Sequence, residues 1–372
     1  MIDAIELTRD LVRTDSINPT STERACADRV GALLEKAGFS TSSFEYAPGH
    51  TSLVARRGGG DKPALCFTGH LDTVPLGAAK WSHEPLAGEI DGGKLYGRGS
   101  SDMKSGVAAI VAAAIDLSRR PAGKAGLELV FTAGEETGCQ GAIHLARTAG
   151  ALGRAGAVVV AEPTGNEPLI GHKGAFWLRL RTRGVTAHGS MPERGVNAIY
   201  KAARAVMKLE EFRFQAAPDP LLGRPSLNVG TVRGGLNTNS VPDLVELTVD
   251  IRTTPEVSHA ALQAQLAQLL GPEVEIEPIV DATSVRTRED DPFVESVVDV
   301  LSQVRKAPAR TGAAPYFTDA SALTAAYGGV PTVILGPGEL SLCHQTDEYC
   351  ETNNISQAVE AYVEIARRWC ER

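Results

Sequence analysis

Cysteine is scarce and scattered in this 372-residue sequence: six thiols (Cys26, Cys66, Cys139, Cys343, Cys350, Cys370), with no C-x-x-C pair among them. That spacing suits reduced thiols in a cytoplasmic protein better than a disulfide framework or a thiolate metal site. Long apolar runs are missing too. The longest candidate, "GVAAIVAAAIDL" (106–117), falls far short of the roughly 20 apolar residues that span a bilayer, so no transmembrane helix is expected. There is no basic excess. A net charge of −8, from 37 Lys and Arg against 45 Asp and Glu, argues against nucleic acid as a partner and leaves small molecules. Nor is there a basic leader: "MIDAIELTRDLVRTDS" places Asp3, Glu6 and Asp10 among apolar residues at helical spacing, which reads as a surface helix and not a secretory signal. No fixed-period repeat or low-complexity tract occurs, and "RRGGGDKP" and "APDPLLGRP" are turn-rich loops.

What is present is the composition of a globular protein, 43% hydrophobic and 22% charged, in a chain longer than one core usually organises, so two domains are expected. Up to about residue 170, apolar strands buried on both faces ("ALCFTG", "LELVFTAG", "AVVVAEP") alternate with helical stretches such as the Ala-rich "KSGVAAIVAAAIDLSRR", the pattern of a mainly parallel α/β sheet covered by helices. The texture then changes. "AFWLRLRTRG" alternates apolar and basic residues, and is followed by helix "VNAIYKAARAVMKLEEF", strands "SLNVGTVRG" and "LVELTVDIRT", helix "SHAALQAQLAQLL" and strand "VEIEPIV". This βαββαβ order is ferredoxin-like. Helix "PFVESVVDVLSQV", strand "TVILG" and a last helix ending near Trp369 return to the first texture. The sequence therefore predicts an α/β domain over 1–173 and 283–372, with an inserted ferredoxin-like α+β domain over 174–282.

Acids and imidazoles gather where the strands of the larger domain end: His70 and Asp72 in "GHLDTVP", Glu135 and Glu136 in "TAGEETG", and Glu162 in "AEPT". Ligands bind at the carboxyl ends of open α/β sheets, so these side chains can share one crevice. Asp102 in "GRGSSDMKSG" precedes a helix, and His344 in "CHQTDEY" follows the late strand. Taken singly, Asp102 is most simply a helix N-cap, the paired glutamates a solvated turn and each histidine a surface residue. Taken together, two histidines and several carboxylates suit Zn²⁺, or Mn²⁺ or Co²⁺.

The complete strings "GHLDTVP", "LYGRGSSDMKSG", "TAGEETG", "AEPT" and "CHQTDEY", in this order, resemble the dinuclear-metal aminoacylase/carboxypeptidase family, and with the inserted domain the resemblance covers nearly the whole chain. It implies two divalent metal ions bridged by Asp102, one completed by His70 and Glu162 and the other by Glu136 and His344, with a cis peptide at Asp102-Met103. It implies that Asp72 orients the His70 imidazole, that Glu135 is the general base, and that His188 in "TAHGSMPERGVNAI" is an oxyanion donor reaching across a homodimer formed by the inserted lid domain. Arg252 in "DIRTTP" and Asn239 in "NTNSVPD" match positions that bind substrate, and "LGPG" (Gly336, Gly338) matches a loop whose backbone approaches it. The implied reaction is hydrolysis of N-acyl-L-amino acids. "YFTDAS", "VILGPG" and "CHQTDEYCE" are closest to the members that deacetylate acetylornithine. Desuccinylation of succinyl-diaminopimelate, broader acyl specificity and dipeptide hydrolysis stay open, as does a non-catalytic metal-binding role, against which the presence of Glu135 and Asp102 counts.

Overall fold

The structure is a computed structural model that describes residues 2–120 and 123–371. Two compact units are present: Met1–Gly171, Arg286–Ala314 and Thr318–Arg372 form one, and His172–Val285 with Pro315–Phe317 the other.

The larger unit is built on a nine-stranded sheet. Its order is Ser40–Ala47, His50–Arg57, Ala125–Thr132, Lys62–His70, Ala155–Val160, Thr332–Ile334, Leu169–His172, Val285–Arg286, with Gly312–Ala314 beside Leu169–His172. The four strands from Ala125–Thr132 to Thr332–Ile334 pair in parallel, whereas the pairs on either side of them are antiparallel. The central runs are mostly apolar because both faces are covered: all eight residues of Ala125–Thr132 are buried, the one charged side chain among them, Glu128, being paired with Arg56. Helix Ser105–Ser118 supplies one cover. It is rich in Ala, and its single Gly marks a close approach to neighbouring backbone; a Cβ on Gly106 would come within 2.2 Å of the Ala161 carbonyl oxygen. The long helix Thr352–Glu371 packs beside it. All six cysteines are unpaired thiols, and among the described residues no helix is long and apolar enough to cross a membrane.

The smaller unit has the order Ser226–Gly234, Leu244–Thr253, Gly174–Arg183, Val274–Ala282, antiparallel throughout, with helices Ala198–Glu211 and His259–Leu270 as its connections. Strict alternation divides the faces. Phe176, Leu178 and Leu180, with Val245, Leu247, Val249 and Ile251, bury themselves under the two helices, while Arg179, Arg181 and Arg183 point outward to Glu246, Glu277 and Glu275. Pro315–Phe317, far along the chain from the 174–282 stretch, belongs here: Phe317 sets its ring edge-on to Trp177 and packs on Ala175, Val280 and Ala282.

Candidate metal centre

The parallel strands bring their carboxyl ends to one edge of the sheet, and the site is assembled there. His70 is the last residue of Lys62–His70, opposite Thr132 of its neighbour, and the chain beyond Thr132 turns at Gly134 (φ +67°) to present Glu135 and Glu136. Glu162 follows Ala155–Val160 by two residues. Asp102 lies in the turn Ser100–Lys104 with φ −120° and ψ 96°. It does not cap the following helix, whose N-cap is Lys104 without a side-chain bond, so the carboxylate is released for another purpose. The Asp102-Met103 peptide is cis, as is Asn18-Pro19.

Five side chains converge. The Asp102 carboxylate divides its oxygens: Oδ1 is 3.1 Å from His70 Nε2 and Oδ2 is 3.4 Å from His344 Nε2. His70 Nε2 is also 3.9 Å from Glu162 Oε2, and His344 Nε2 is 3.1 Å from Glu136 Oε1. Two triads result, His70/Asp102/Glu162 and Asp102/Glu136/His344, each with donor atoms within 4.8 Å of one another. Tetrahedral ligands at a bond length of about 2.0–2.1 Å stand roughly 3.3 Å apart, so most of these separations match the spacing that ligands of a small cation would need.

The charges ask for cations. Burial pushes the Glu162 carboxyl well up, burial and the Asp102 charge push Glu136 up, and burial and the Glu162 charge push Glu135 well up. Burial would raise Asp102 as well, but the hydrogen bonds from His344 and His70 outweigh it and hold it below the usual carboxylate range. His344, bonded to Asp102 and Glu136, is pushed up to about 10.

Asp72 is buried against this cluster and meets the His70 imidazole mainly through its main chain. His70 Nδ1 lies 3.0 Å from the Asp72 main-chain carbonyl and 3.6 Å from its carboxylate. The carboxylate instead accepts from the backbone N–H groups of Glu135 and Glu136, both at 3.1 Å, and from Asn18 Nδ2 at 2.8 Å. One aspartate thus fixes the imidazole through its backbone and the glutamate turn through its side chain. Glu135 belongs to neither triad; it lies beside Cys139 and Asp319, with the Cys139 thiol 3.7 Å from Oε1.

Gly336 and Gly338 border the Glu162 segment. Their carbonyls accept from Thr164, Asn166 and Gly165 N–H groups, and a Cβ would fall 2.2 Å from the Ala161 oxygen at Gly336 and 2.0 Å from the Ser101 oxygen at Gly338. Close approach of protein backbone is reason enough for both glycines. His188, Asn239 and Arg252 belong to the smaller unit. His188 is exposed, with Nδ1 2.7 Å from Ser190 Oγ, and Asn239 lies on the adjoining segment, its carbonyl accepting from Gly189 N–H. The Arg252 guanidinium lies 5.8 Å from each of the Trp177 and Phe317 ring centroids and pairs with Asp250 at 2.9 Å. Sequence reasoning passed over Asn18, Asp319 and Glu348, none of which carries a local signal.

Paired histidine–carboxylate triads sharing one aspartate, at the carboxyl edge of an α/β sheet, define a metallohydrolase. The chain belongs to Peptidase family M20/M25/M40, whose profile residues 66–368 match, and it is a metal-dependent hydrolase of amide bonds. Relatives include the acetylornithine deacetylases of Shigella sonnei (strain Ss046), 31% identical over 98% of this chain and 97% of that one, and of Vibrio atlanticus (strain LGP32), 29% identical over 98% of each. Among solved structures, a metallo-carboxypeptidase of Sulfolobus solfataricus shares the fold with a TM-score of 0.81 at 18% identity, covering 99% of both chains. A dinuclear metal binding peptidase of Bacillus subtilis does so with 0.74 at 16%, covering 99% of this chain and 98% of that one.

Proposed function

We propose that the protein is a cytoplasmic deacylase of N-acyl-L-amino acids that converts N-acetyl-L-ornithine and water to acetate and L-ornithine in arginine biosynthesis, using two divalent cations. The observation that carries the reading is the Asp102 carboxylate, with one oxygen turned to each histidine, beside a glutamate, Glu135, that neither triad uses. The nearly full-length likeness to two acetylornithine deacetylases supports the choice of substrate. The donors fit the group: imidazole nitrogen and carboxylate oxygen without thiolate suit Zn²⁺, with Mn²⁺ and Co²⁺ as alternatives. His70, Asp102 and Glu162 would hold one ion, and Asp102, Glu136 and His344 the other. Bound there, such ions acidify water and polarise an amide carbonyl.

The chain's own groups do the rest. Glu135 takes the proton of the attacking water as the C–O bond forms, then delivers it to the amino nitrogen as the C–N bond breaks. Its main-chain N–H is anchored on Asp72 Oδ1, which sets the carboxylate's position. Arg252, steadied by Asp250 and two aromatic rings, receives the substrate carboxylate through its planar fork, with Asn239 contributing a polar contact. His188 of a second copy donates to the developing oxyanion. An exposed apolar set on the smaller unit, Tyr200, Met207, Val232 and Leu236, supports a homodimer through this lid.

The test is a substrate panel on chelator-treated protein with Zn²⁺, Mn²⁺ or Co²⁺ restored: N-acetylornithine, N-succinyl-diaminopimelate, other N-acyl amino acids and dipeptides. N-acetylornithine should give the highest kcat/KM, and chelation should abolish turnover. Preference for the succinyl compound or a dipeptide would displace the substrate assignment, and full activity in metal-free protein would displace the cation reading.

A further inference from the structure

Glu348 is completely buried, and its carboxylate is fully used. Oε2 accepts from Arg98 Nη1 at 2.5 Å and from Gly99 N–H at 3.1 Å; Oε1 accepts from the N–H groups of Ser101 at 2.8 Å and Asp102 at 3.0 Å. Four donors meet the four lone-pair directions of one ionised carboxylate. Two of them belong to the turn that presents Asp102 and a third, Gly99, directly precedes it, so the turn is gripped by its backbone.

The same residue closes the loop that carries His344. That loop needs an anchor: His344 (φ +62°) and Asp347 (φ +58°) both sit in the left-handed region without being glycine, and the His344 side chain is half exposed. Glu348 ends the loop. Its carbonyl accepts from Gly97 N–H at 2.9 Å, and the next three residues, Tyr349–Glu351, pair antiparallel with Lys94–Tyr96. Arg98, itself buried, extends the clamp to the Pro75 carbonyl at 3.2 Å and lies over the Trp81 ring. His70, Glu162 and Glu136 rise from strand ends and the turns after them; Asp102 and His344 ride on irregular chain, and Glu348 joins those two stretches.

We propose that Glu348 is a positioning residue that holds Asp102 and His344 in mutual register, and that the Asp102/Glu136/His344 position depends on it more than the His70/Asp102/Glu162 position does. The first of these positions has two ligands on the clamped segments and the second has one. The proposal rests on the two-cation reading above. Groups that orient metal ligands typically contribute about 10- to 100-fold in metal affinity, and a neutral amide at Glu348 would turn N–H toward donors and leave Arg98 without its counter-charge.

The experiment titrates metal-free wild type, Glu348→Gln and Glu136→Ala with Zn²⁺ against a competing chromophoric chelator, with circular dichroism and Tm as folding controls. Wild type should take up two equivalents, and Glu136→Ala, which marks the dependent position, should retain one. Glu348→Gln should bind its first equivalent within about threefold of wild type and its second about 10- to 100-fold more weakly. Raising Zn²⁺ should return its kcat to within a few-fold while KM stays unchanged. If Glu348→Gln does not fold, Glu348→Asp, which keeps the charge but shortens the reach to the amides, carries the same expectation. Equal weakening of both equivalents, or none, in a folded variant overturns the proposal, as does a lowered Tm with unaltered zinc affinities. Fewer than two equivalents in wild type would overturn the two-cation reading itself, before any variant is considered.

Discussion

Replacing Gly336 with alanine adds one methyl group, and the structure says where it goes. The new Cβ would lie 2.2 Å from the Ala161 oxygen and 2.6 Å from both the Ala161 carbonyl carbon and the Glu162 oxygen. All three are backbone atoms, so no side chain can rotate away. An ordinary contact requires the loop and the 161–162 segment to part by about 1 Å. The hydrogen bonds from Thr164 and Asn166 to the Gly336 carbonyl would stretch with them, and Glu162 would be carried off the position where it faces His70. Overpacking of this kind costs about 1–3 kcal/mol, and a misplacement of about 1 Å at a catalytic group costs on the order of 10²-fold in rate. Gly336→Ala should therefore lower Tm by several degrees, lose cation from the His70/Asp102/Glu162 position and lose kcat by about 10²-fold. Gly230→Ala, whose Cβ meets nothing closer than Thr248 Oγ1 at 3.5 Å, is the control. The assays are thermal unfolding, metal stoichiometry and steady-state kinetics. If Gly336 serves instead to admit substrate, KM rises while Tm and stoichiometry are untouched, and that result would refute the packing argument.

Glu135→Gln should keep both cations while kcat falls about 10²- to 10⁴-fold, whereas Glu136→Ala should lose one equivalent; metal analysis giving the opposite pattern would exchange their roles. His172 is buried, with Nε2 unpartnered, and burial lowers its pKa to about 4 against the bond from Nδ1–H to the Lys173 carbonyl. A depressed folded pKa means stability fully present above about pH 6.5 and lost as pH falls toward 4, at most about 3 kcal/mol. Urea unfolding of metal-free wild type and His172→Gln at pH 7.5 and 4.5 should show the wild type losing about 2–3 kcal/mol more, and equal losses would disprove the assignment. Mixing Glu135→Ala with His188→Ala protein and allowing subunits to exchange should restore activity above either parent, since one site of the heterodimer would then hold both intact groups. No recovery despite confirmed exchange would place each site within one chain.

Legibility in the sequence followed the range of the interaction. Leu244–Thr253 could be read to the residue because alternation is written locally in its side chains, and His70, Glu136 and Glu162 stood out because ligand types follow successive strands, whereas Asp102 and His344 were legible only from the complete strings around them. Glu348 was hidden: its partners at 98, 99, 101 and 102 lie about 250 residues away, and an isolated glutamate carries no periodic signal. Asp72 was visible as a partner of His70, but which of its oxygens serves the imidazole is a matter of rotamer and turn geometry, fixed only when the Glu135–Glu136 backbone arrives beside it. Gly336 reads as a turn from its own neighbours, and its reason lies in chain 175 residues upstream.

Strand Thr332–Ile334 lies in the middle of the large sheet, between Ala155–Val160 and Leu169–His172, with His344 beyond it. A ribosome adds this strand more than 150 residues after the neighbours it will separate. The ferredoxin-like sheet, contiguous from Gly174 to Ala282, can close during that interval, while the larger sheet waits with a gap at its centre. The nascent chain therefore holds at most four of its five triad residues until residue 344 is made. A chain released before His344 is added lacks one of the five triad residues, so termination before that point should yield a protein without hydrolytic activity.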